Sequence, residues 1–411
     1  LTPPIAQRVQ ALGADVLITV DNGIASVDGV ARARELGLQV VVTDHHLPAA
    51  VLPEADAIVN PNQPGCSFES KALAGVGVMF YVLLVLRAEL RTRGVFSMDQ
   101  QPKLDTLLPL VALGTVADVV KLDANNRRLV AQGLARVRKG HMPAGMVALL
   151  AAAGRQSASC TSQDFGFALG PRINAAGRLS DMTLGIECLI TDDVGRATEL
   201  ATQLDRINRE RREIEGDMRE QALALAQEMF DPEEEPPSAL CVFDPDFHEG
   251  VVGIVASKLK DLHHRPTFVF APSQAVGKEH ELKGSGRSIP GFHLRDALDL
   301  VAKRHPGVLL RFGGHAMAAG LTIRQSDFSI FEEYFLQISN ELLSDDVLQR
   351  RCVHDGSLSP DQFSVEIGDM LMQEIWGHGF PEPLFYGEFD VLQQSLMKDK
   401  HLRDRKSTRL N

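Results

Sequence analysis

Asp44-His45-His46 stands where an apolar run stops, and three metal-capable side chains in a row at such a place imply chemistry. Residues 39–43 are short, β-branched and almost uncharged, so they read as a buried strand. Residues 15–20 read as a second strand, which stops in the same way at Asp21-Asn22-Gly23. A further acid, Asp118, closes the apolar stretch 107–120. In open parallel sheets, ligands bind beyond the carboxyl ends of the strands. Asp21, Asp44, His45, His46 and Asp118 are therefore candidate donors to one metal site. Carboxylates and imidazoles without thiolate suit Mn²⁺, Fe²⁺ or Zn²⁺, and carboxylates with water also admit Mg²⁺. Two such ions roughly 3.5–4 Å apart can clamp the attacking and leaving oxygens of a phosphoryl displacement.

The elements that would hold these residues follow a βαβ rhythm: strand 15–20, helix 25–36, strand 39–43 and strand 57–60. Helical patterns come next at 72–92, 103–117, 125–138 and 143–153. Residues 193–230 form a long polar helical pattern with Leu200, Leu204, Ile207 and Ile214 at helical spacing. It runs into the acidic, proline-broken linker 230–237 and reads as a bridge between domains. A second α/β unit is expected from 239: strand 239–243, helix 251–262, strands 267–270 and 282–285, helix 294–303, a glycine-rich turn at Gly313-Gly314-His315, and helix 327–343. A third region from 351 contains Trp376-Gly377-His378-Gly379-Phe380 and a strand at 384–392.

Composition sets bounds. With 411 residues, two or three domains are expected. The 44% hydrophobic and 23% charged content is that of a globular protein. Five scattered cysteines without a CxxC pair argue against a disulfide framework or structural zinc, and fit a reducing cytoplasm. The most apolar stretch, 72–86, is too short to span a bilayer. A net charge of −12 disfavours indiscriminate nucleic-acid binding, yet residues 281–315 hold six Lys/Arg against three acids. Local patches of that kind focus the field whatever the total charge.

Several of these motifs, taken in order, resemble the DHH phosphoesterase superfamily. Asp21-Asn22-Gly23, Asp44-His45-His46 and Ala117-Asp118 match its second to fourth motifs. Ser285-Gly286-Arg287-Ser288 and the run from Gly313 to Gly320 resemble its DHHA1 companion domain. Pro171-Arg172-Ile173-Asn174-Ala175-Ala176-Gly177-Arg178 and the Trp376–Phe385 stretch narrow the resemblance to the bacterial single-strand-specific exonucleases of that superfamily. The resemblance implies 5′→3′ hydrolysis of single-stranded DNA to 5′-mononucleotides, with two Mn²⁺ or Mg²⁺ ions. Asp21 would bridge the ions, His45 and Asp118 would ligate one of them, and His46 would lie against the scissile phosphate. Asp44 is left open between ligand and orienting group. Ser285 and Arg287 would hold the terminal 5′-phosphate and His315 a phosphate near the metals. Arg172, Asn174 and Arg178, in a glycine-containing loop, are candidate DNA contacts. Implied partners are single-stranded DNA with a 5′ end, a helicase and a single-strand-binding protein, in recombination and repair; no membrane is implied.

The expected organisation is α/β throughout. A DHH domain spans 1–192, a connecting helix and linker 193–237, a DHHA1 domain 238–345, and the start of an OB-like β domain 346–403. The two α/β domains are expected to face each other across a cleft. The superfamily's first motif, an Asp-rich strand end upstream of Asp21, is absent, so the chain is expected to be a fragment, inactive and weak in metal binding. Residues 404–411 back-translate to the start of a sequencing adaptor and are expected to be read-through; an in-frame sequence continuing past Asn411 would overturn that. Two other readings stay open: a phosphoesterase of short oligonucleotides or nucleotide phosphates, and a non-catalytic nucleic-acid-binding scaffold.

Overall fold

The computed structural model describes residues 1–228, 237–397 and 401–408. The expected linker falls almost wholly outside them. The chain divides into two compact units: Leu1–Ile173 with Leu184–Gln203 and Val353–Asn411, and Asn174–Thr183 with Leu204–Cys352.

In the first unit, β1 (Val16–Val20), β2 (Gln39–Thr43) and β3 (Ala57–Val59) form a parallel sheet in that order. All three strands therefore release their C-terminal residues at one edge. Val30, Ala33, Leu38, Val40 and Val42 pack one face of it. A second cluster joins Leu73, Val78, Phe80, Val111 and Leu129 from the helices Gly75–Thr92, Leu108–Ala117 and Ala124–Arg138 and the turn before them. No described helix is long and apolar enough to cross a membrane.

The second unit is a mixed five-stranded sheet. Its strands are β4 (Leu240–Phe243), β5 (Thr267–Pro272), β6 (Glu281–Arg287), β7 (Arg311–Gly314) and β8 (Ala318–Arg324), in the order β4-β5-β6-β8-β7. Phe268, Phe270, Phe331 and Phe335 fill its core. Met218 and Ala222 of the long helix Val194–Glu228 pack with Val242, Val255 and Val269. That helix passes from the first unit into the second between Gln203 and Leu204, as a bridging element would.

Two expectations change. Gly313-Gly314 is not a turn but the end of edge strand β7, paired Gly313↔Gly320 and Gly314↔Ala319. Its partner β8 escapes a sequence reading because Ala318-Ala319-Gly320 has little strand propensity; pairing on both sides holds it extended. Residues 170–179, expected as a loop, are the helix Gly170–Leu179, with Ala175 and Ala176 buried. Two alanines in succession favour that outcome.

After Val353 the described residues include a short 3-10 turn at Pro360–Gln362, the helix Val365–Gln373 and an antiparallel hairpin of β9 (Phe389–Met397) and β10 (His401–Thr408); the expected start of an OB-like domain is not shown by them. β10 includes residues 404–408 of the stretch expected to be adaptor-derived; 409–411 lie outside the described residues. The region groups with the first unit. Leu122 N donates to His378 O (2.7 Å), Ser162 Oγ donates to Trp376 O (2.9 Å), and the Arg127 guanidinium lies 3.7 Å over the Phe380 ring. Trp376 also stacks on Phe380, with ring centroids 5.2 Å apart and planes at 8°. Phe380 is thus a packed residue, held between its neighbours in the tight turn of the 376–380 loop.

Candidate active site

β1 ends at Asp21, which takes φ 63°, a left-handed conformation uncommon outside glycine. β2 delivers Asp44-His45-His46, and Asp118 caps the C-terminus of helix Leu108–Ala117. The tertiary structure brings these together. His45 Nε2 lies 2.9 Å from Asp21 Oδ1 and 3.3 Å from Asp118 Oδ2. That nitrogen is buried, yet no hydrogen-bonding partner is aligned with it. Ligand atoms of Asp21, His45 and His46 all lie within 4.8 Å of one another. A buried imidazole nitrogen facing two carboxylate oxygens without an aligned hydrogen bond is the arrangement a cation would complete. The donor set, oxygen and imidazole without thiolate, fits Mn²⁺ or Mg²⁺.

The electrostatics agree. The Asp21 carboxylate facing it raises the pKa of His45, burial works against it, and Asp118 and Asp44 add to the rise. Asp118 is raised by burial and by the like charge of Asp21, with His45 pulling the other way. Carboxylates crowded in this way are relieved by a positive ion.

Asp44 is settled by its surroundings. It is 1% exposed. Oδ2 accepts from Ile24 N (2.9 Å), and Oδ1 accepts from His45 N (2.7 Å), His46 N (3.1 Å) and His46 Nδ1 (2.7 Å). Both oxygens accept hydrogen bonds from the surrounding backbone and from His46, the geometry of a group that orients this loop. Burial would raise its pKa, but the Ile24 amide, the His46 ring and the two histidine amides outweigh that and hold the carboxyl below its ordinary value. Because an ionised carboxylate only accepts, His46 carries its proton on Nδ1, which leaves Nε2 unengaged by Asp44.

Three groups escaped the sequence reading. Asn60 Nδ2 donates to His46 O (2.9 Å) and Asn62 Nδ2 to His45 O (2.6 Å), so two amides just after β3 pin the loop's carbonyls. The only sequence signal was amide residues at a third strand end, flanking Pro61. Asn62→Ala should lower stability by about 1 kcal/mol and weaken Mn²⁺ binding, because His45 loses its backbone anchor; a titration unchanged from the parent would refute that role. The third group is Gly75, at the start of helix Gly75–Thr92: a Cβ there would lie 2.6 Å from Asp21 Cβ.

The second unit carries a different set. Ser285 and Arg287 alternate along β6, and Arg287 Nη1 donates to Ser285 Oγ (3.1 Å) and to Gly286 O (2.8 Å). Both side chains lie against the N-terminus of helix Val252–His263, where a Cβ on Gly253 would be 2.9 Å from Ser285 Oγ and from Arg287 Nη2. Helix N-termini attract anions. Arg178 joins them, its Nη1 donating to Gly250 O (3.2 Å). Burial, and after it the Arg178 charge, lower the pKa of Arg287, which has no acidic partner at ion-pair distance among the described residues. Two guanidiniums at a helix N-terminus are a geometry suited to phosphate. His315 is exposed in the connection between β7 and β8, near the β6 end that carries Arg287, since Arg287 pairs with Ala318. Asn174 is exposed on its helix. Arg172 differs: it is 7% exposed and donates to Ala168 O (2.7 Å), so it is a packed arginine and not a surface contact. His248 and His264 take structural places: His248 Nδ1 accepts from Gly250 N, and His264, the left-handed cap of helix Val252–His263, has Nε2 3.1 Å from Val347 O.

A parallel sheet with Asp and His at its strand ends, followed by a sheet with a Ser-x-Arg strand, defines a DHH-type protein with a DHHA1 unit. The DHH family N-terminal domain pattern matches residues 2–115, and the DHHA1 domain pattern residues 237–345. The single-stranded-DNA-specific exonuclease RecJ of Escherichia coli is 48% identical over 408 residues, 98% of this chain and 70% of that protein. RecJ of Bacillus subtilis is 36% identical over 389 residues, 94% of this chain and 46% of that protein. The crystal structure of Thermus thermophilus RecJ with Mn²⁺ superposes with a TM-score of 0.79 at 30% identity, covering 98% of this chain and 56% of that one. A structure of the same relative holds Mg²⁺. The chain belongs to the RecJ family, and it spans between about half and 70% of the relatives named.

Proposed function

We propose that this chain carries the catalytic core of a 5′→3′ exonuclease that hydrolyses single-stranded DNA to 5′-mononucleotides with divalent cations. The observation that carries the reading is buried His45 Nε2, set between Asp21 and Asp118 without an aligned hydrogen bond. Asp21, His45 and Asp118 would hold the cation. Bound divalent cations supply activation of water and neutralisation of charge for an in-line phosphoryl displacement. His46, its Nδ1 fixed by Asp44, presents Nε2 to a phosphate or to a leaving oxygen. Ser285, Arg287 and Arg178 bind the terminal 5′-phosphate, and His315 and Asn174 contact the strand nearby. Arg172 is packed and takes no part. Cytoplasmic DNA, with a helicase and a single-strand-binding protein as partners, is the setting that suits such an enzyme.

Among the described residues, Asp21, His45 and His46 are close enough to share an ion, with Asp118 3.3 Å from His45 Nε2; low activity of these 411 residues stays the expectation. The test uses 5′-phosphorylated single-stranded oligonucleotides with Mn²⁺. The chain is expected to bind them with a preference for 5′-phosphate over 5′-hydroxyl that Arg287→Ala reduces by roughly tenfold, and to release little mononucleotide. Equal binding of both ends would remove the phosphate assignment. Rapid Mn²⁺-dependent digestion would remove the expectation of low activity. Turnover confined to dinucleotides would favour a short-oligonucleotide phosphoesterase.

A further inference from the structure

A pocket of about 390 Å³ opens in the first unit, and none of Asp21, His45, His46 and Asp118 lines it. Ala117 and Val119, the residues on either side of Asp118, do, together with Phe167, Trp376 and Pro381. The volume is in the range of roughly 300–1,000 Å³ usual for small-ligand sites. We propose that this pocket is a nucleobase subsite, which takes one unpaired base of the strand whose phosphate lies at the Asp118 side of the cluster. The inference rests on the nuclease reading above and deepens it.

Two local irregularities meet at this pocket. Val119 has φ 59°, a conformation that β-branched residues avoid, and it is 64% exposed. Residues Phe165–Leu169 form a π turn, a form that recurs at functional sites. Phe167, in the middle of that turn, is 77% exposed. Backbone outliers of this kind persist where function requires them. An apolar hollow beside a residue proposed to hold the cation, with an exposed aromatic ring at its wall, matches the two halves of a nucleotide. Base–aromatic stacking tolerates any sequence, because every base has a π-face. Lys121, exposed and in no ion pair among the described residues, adds a cation on the same segment for the adjoining phosphate. Bases already paired and stacked in a duplex cannot enter such a pocket, so the subsite selects single strands without reading sequence.

The test is binding, which needs no turnover. Single strands with a 5′-phosphate carry 2-aminopurine at the first, second or third position, and binding to the 411-residue chain in Mn²⁺ is followed by anisotropy and by 2-aminopurine emission. One position should be quenched on binding. An abasic residue at that position should weaken binding by roughly tenfold. Phe167→Ala should remove the quench, weaken binding of the normal strand by a similar factor and leave the abasic strand unaffected. Gly166→Leu, whose Cβ meets only Val116 Cγ1 at 3.4 Å, should act likewise by filling the hollow. The abasic comparison on the parent chain keeps the proposal testable if a variant fails to fold. Strands that bind with no quench at any position, or with equal affinity for normal and abasic strands, overturn the subsite alone. Failure of all strands to bind overturns the nuclease reading and the subsite with it.

Discussion

Asp44→Ala is expected to destabilise the first unit by about 3–4 kcal/mol, since hydrogen bonds to a charged group each contribute about 1.5–3 kcal/mol and are not additive. The change strands four donors at once: the amides of Ile24, His45 and His46, and His46 Nδ1. Water cannot readily replace the carboxylate, because the site is 1% exposed. The chain's single tryptophan, Trp376, packs in the same unit, so urea unfolding followed by its fluorescence reports on this loss. Asp44→Asn should be intermediate. Its carbonyl can serve the histidine side, but its amide then faces the Ile24 N–H, donor against donor. If both variants unfold at the parent's urea concentration, Asp44 does not organise this loop. Loss of Mn²⁺ binding should accompany the loss of stability, because the same carboxylate sets the positions of His45 and His46.

Gly75→Ala should weaken Mn²⁺ binding by at least roughly tenfold, approaching the effect of Asp21→Ala, while costing about 1–3 kcal/mol of stability as an overpacked contact. The added Cβ would fall 2.6 Å from Asp21 Cβ and closer still to its carboxylate oxygen. Asp21 cannot simply turn away, because its backbone is already held in the left-handed region. The helix behind Gly75 is equally constrained, with Val78 and Phe80 in the core. A Mn²⁺ titration of both variants beside the parent decides the matter. Parent-like affinity in Gly75→Ala would show that the helix can retreat and that the glycine is not required for the metal site.

Much of this is legible in the sequence. The runs that form β1, β2, β4 and β5 announce themselves by short apolar, β-branched composition, and the acids and histidines at the ends of the first two point to a metal. The long bridging helix shows in the spacing of Leu200, Leu204 and Ile207, all of them buried. β8 is not legible, because Ala318-Ala319-Gly320 is extended only through its neighbours β6 and β7. The helix Gly170–Leu179 is hidden because its glycines suggest a loop.

By itself, then, the sequence determined which residue types stand at the strand ends, and so the class of chemistry. Only the tertiary structure decided what each one touches. Asp44 accepts hydrogen bonds from the loop, Arg172 is packed, and Arg178 is a neighbour of Arg287; Asn60, Asn62 and Gly75 emerged as contacts of the Asp-His cluster. The region after Val353 was likewise placed by its bonds to Leu122, Ser162 and Arg127. The physical reason is range. Hydrophobic periodicity records how each residue faces the core within its own element, whereas the amides, carbonyls and crowding atoms that fix a side chain's role come from segments distant in the chain.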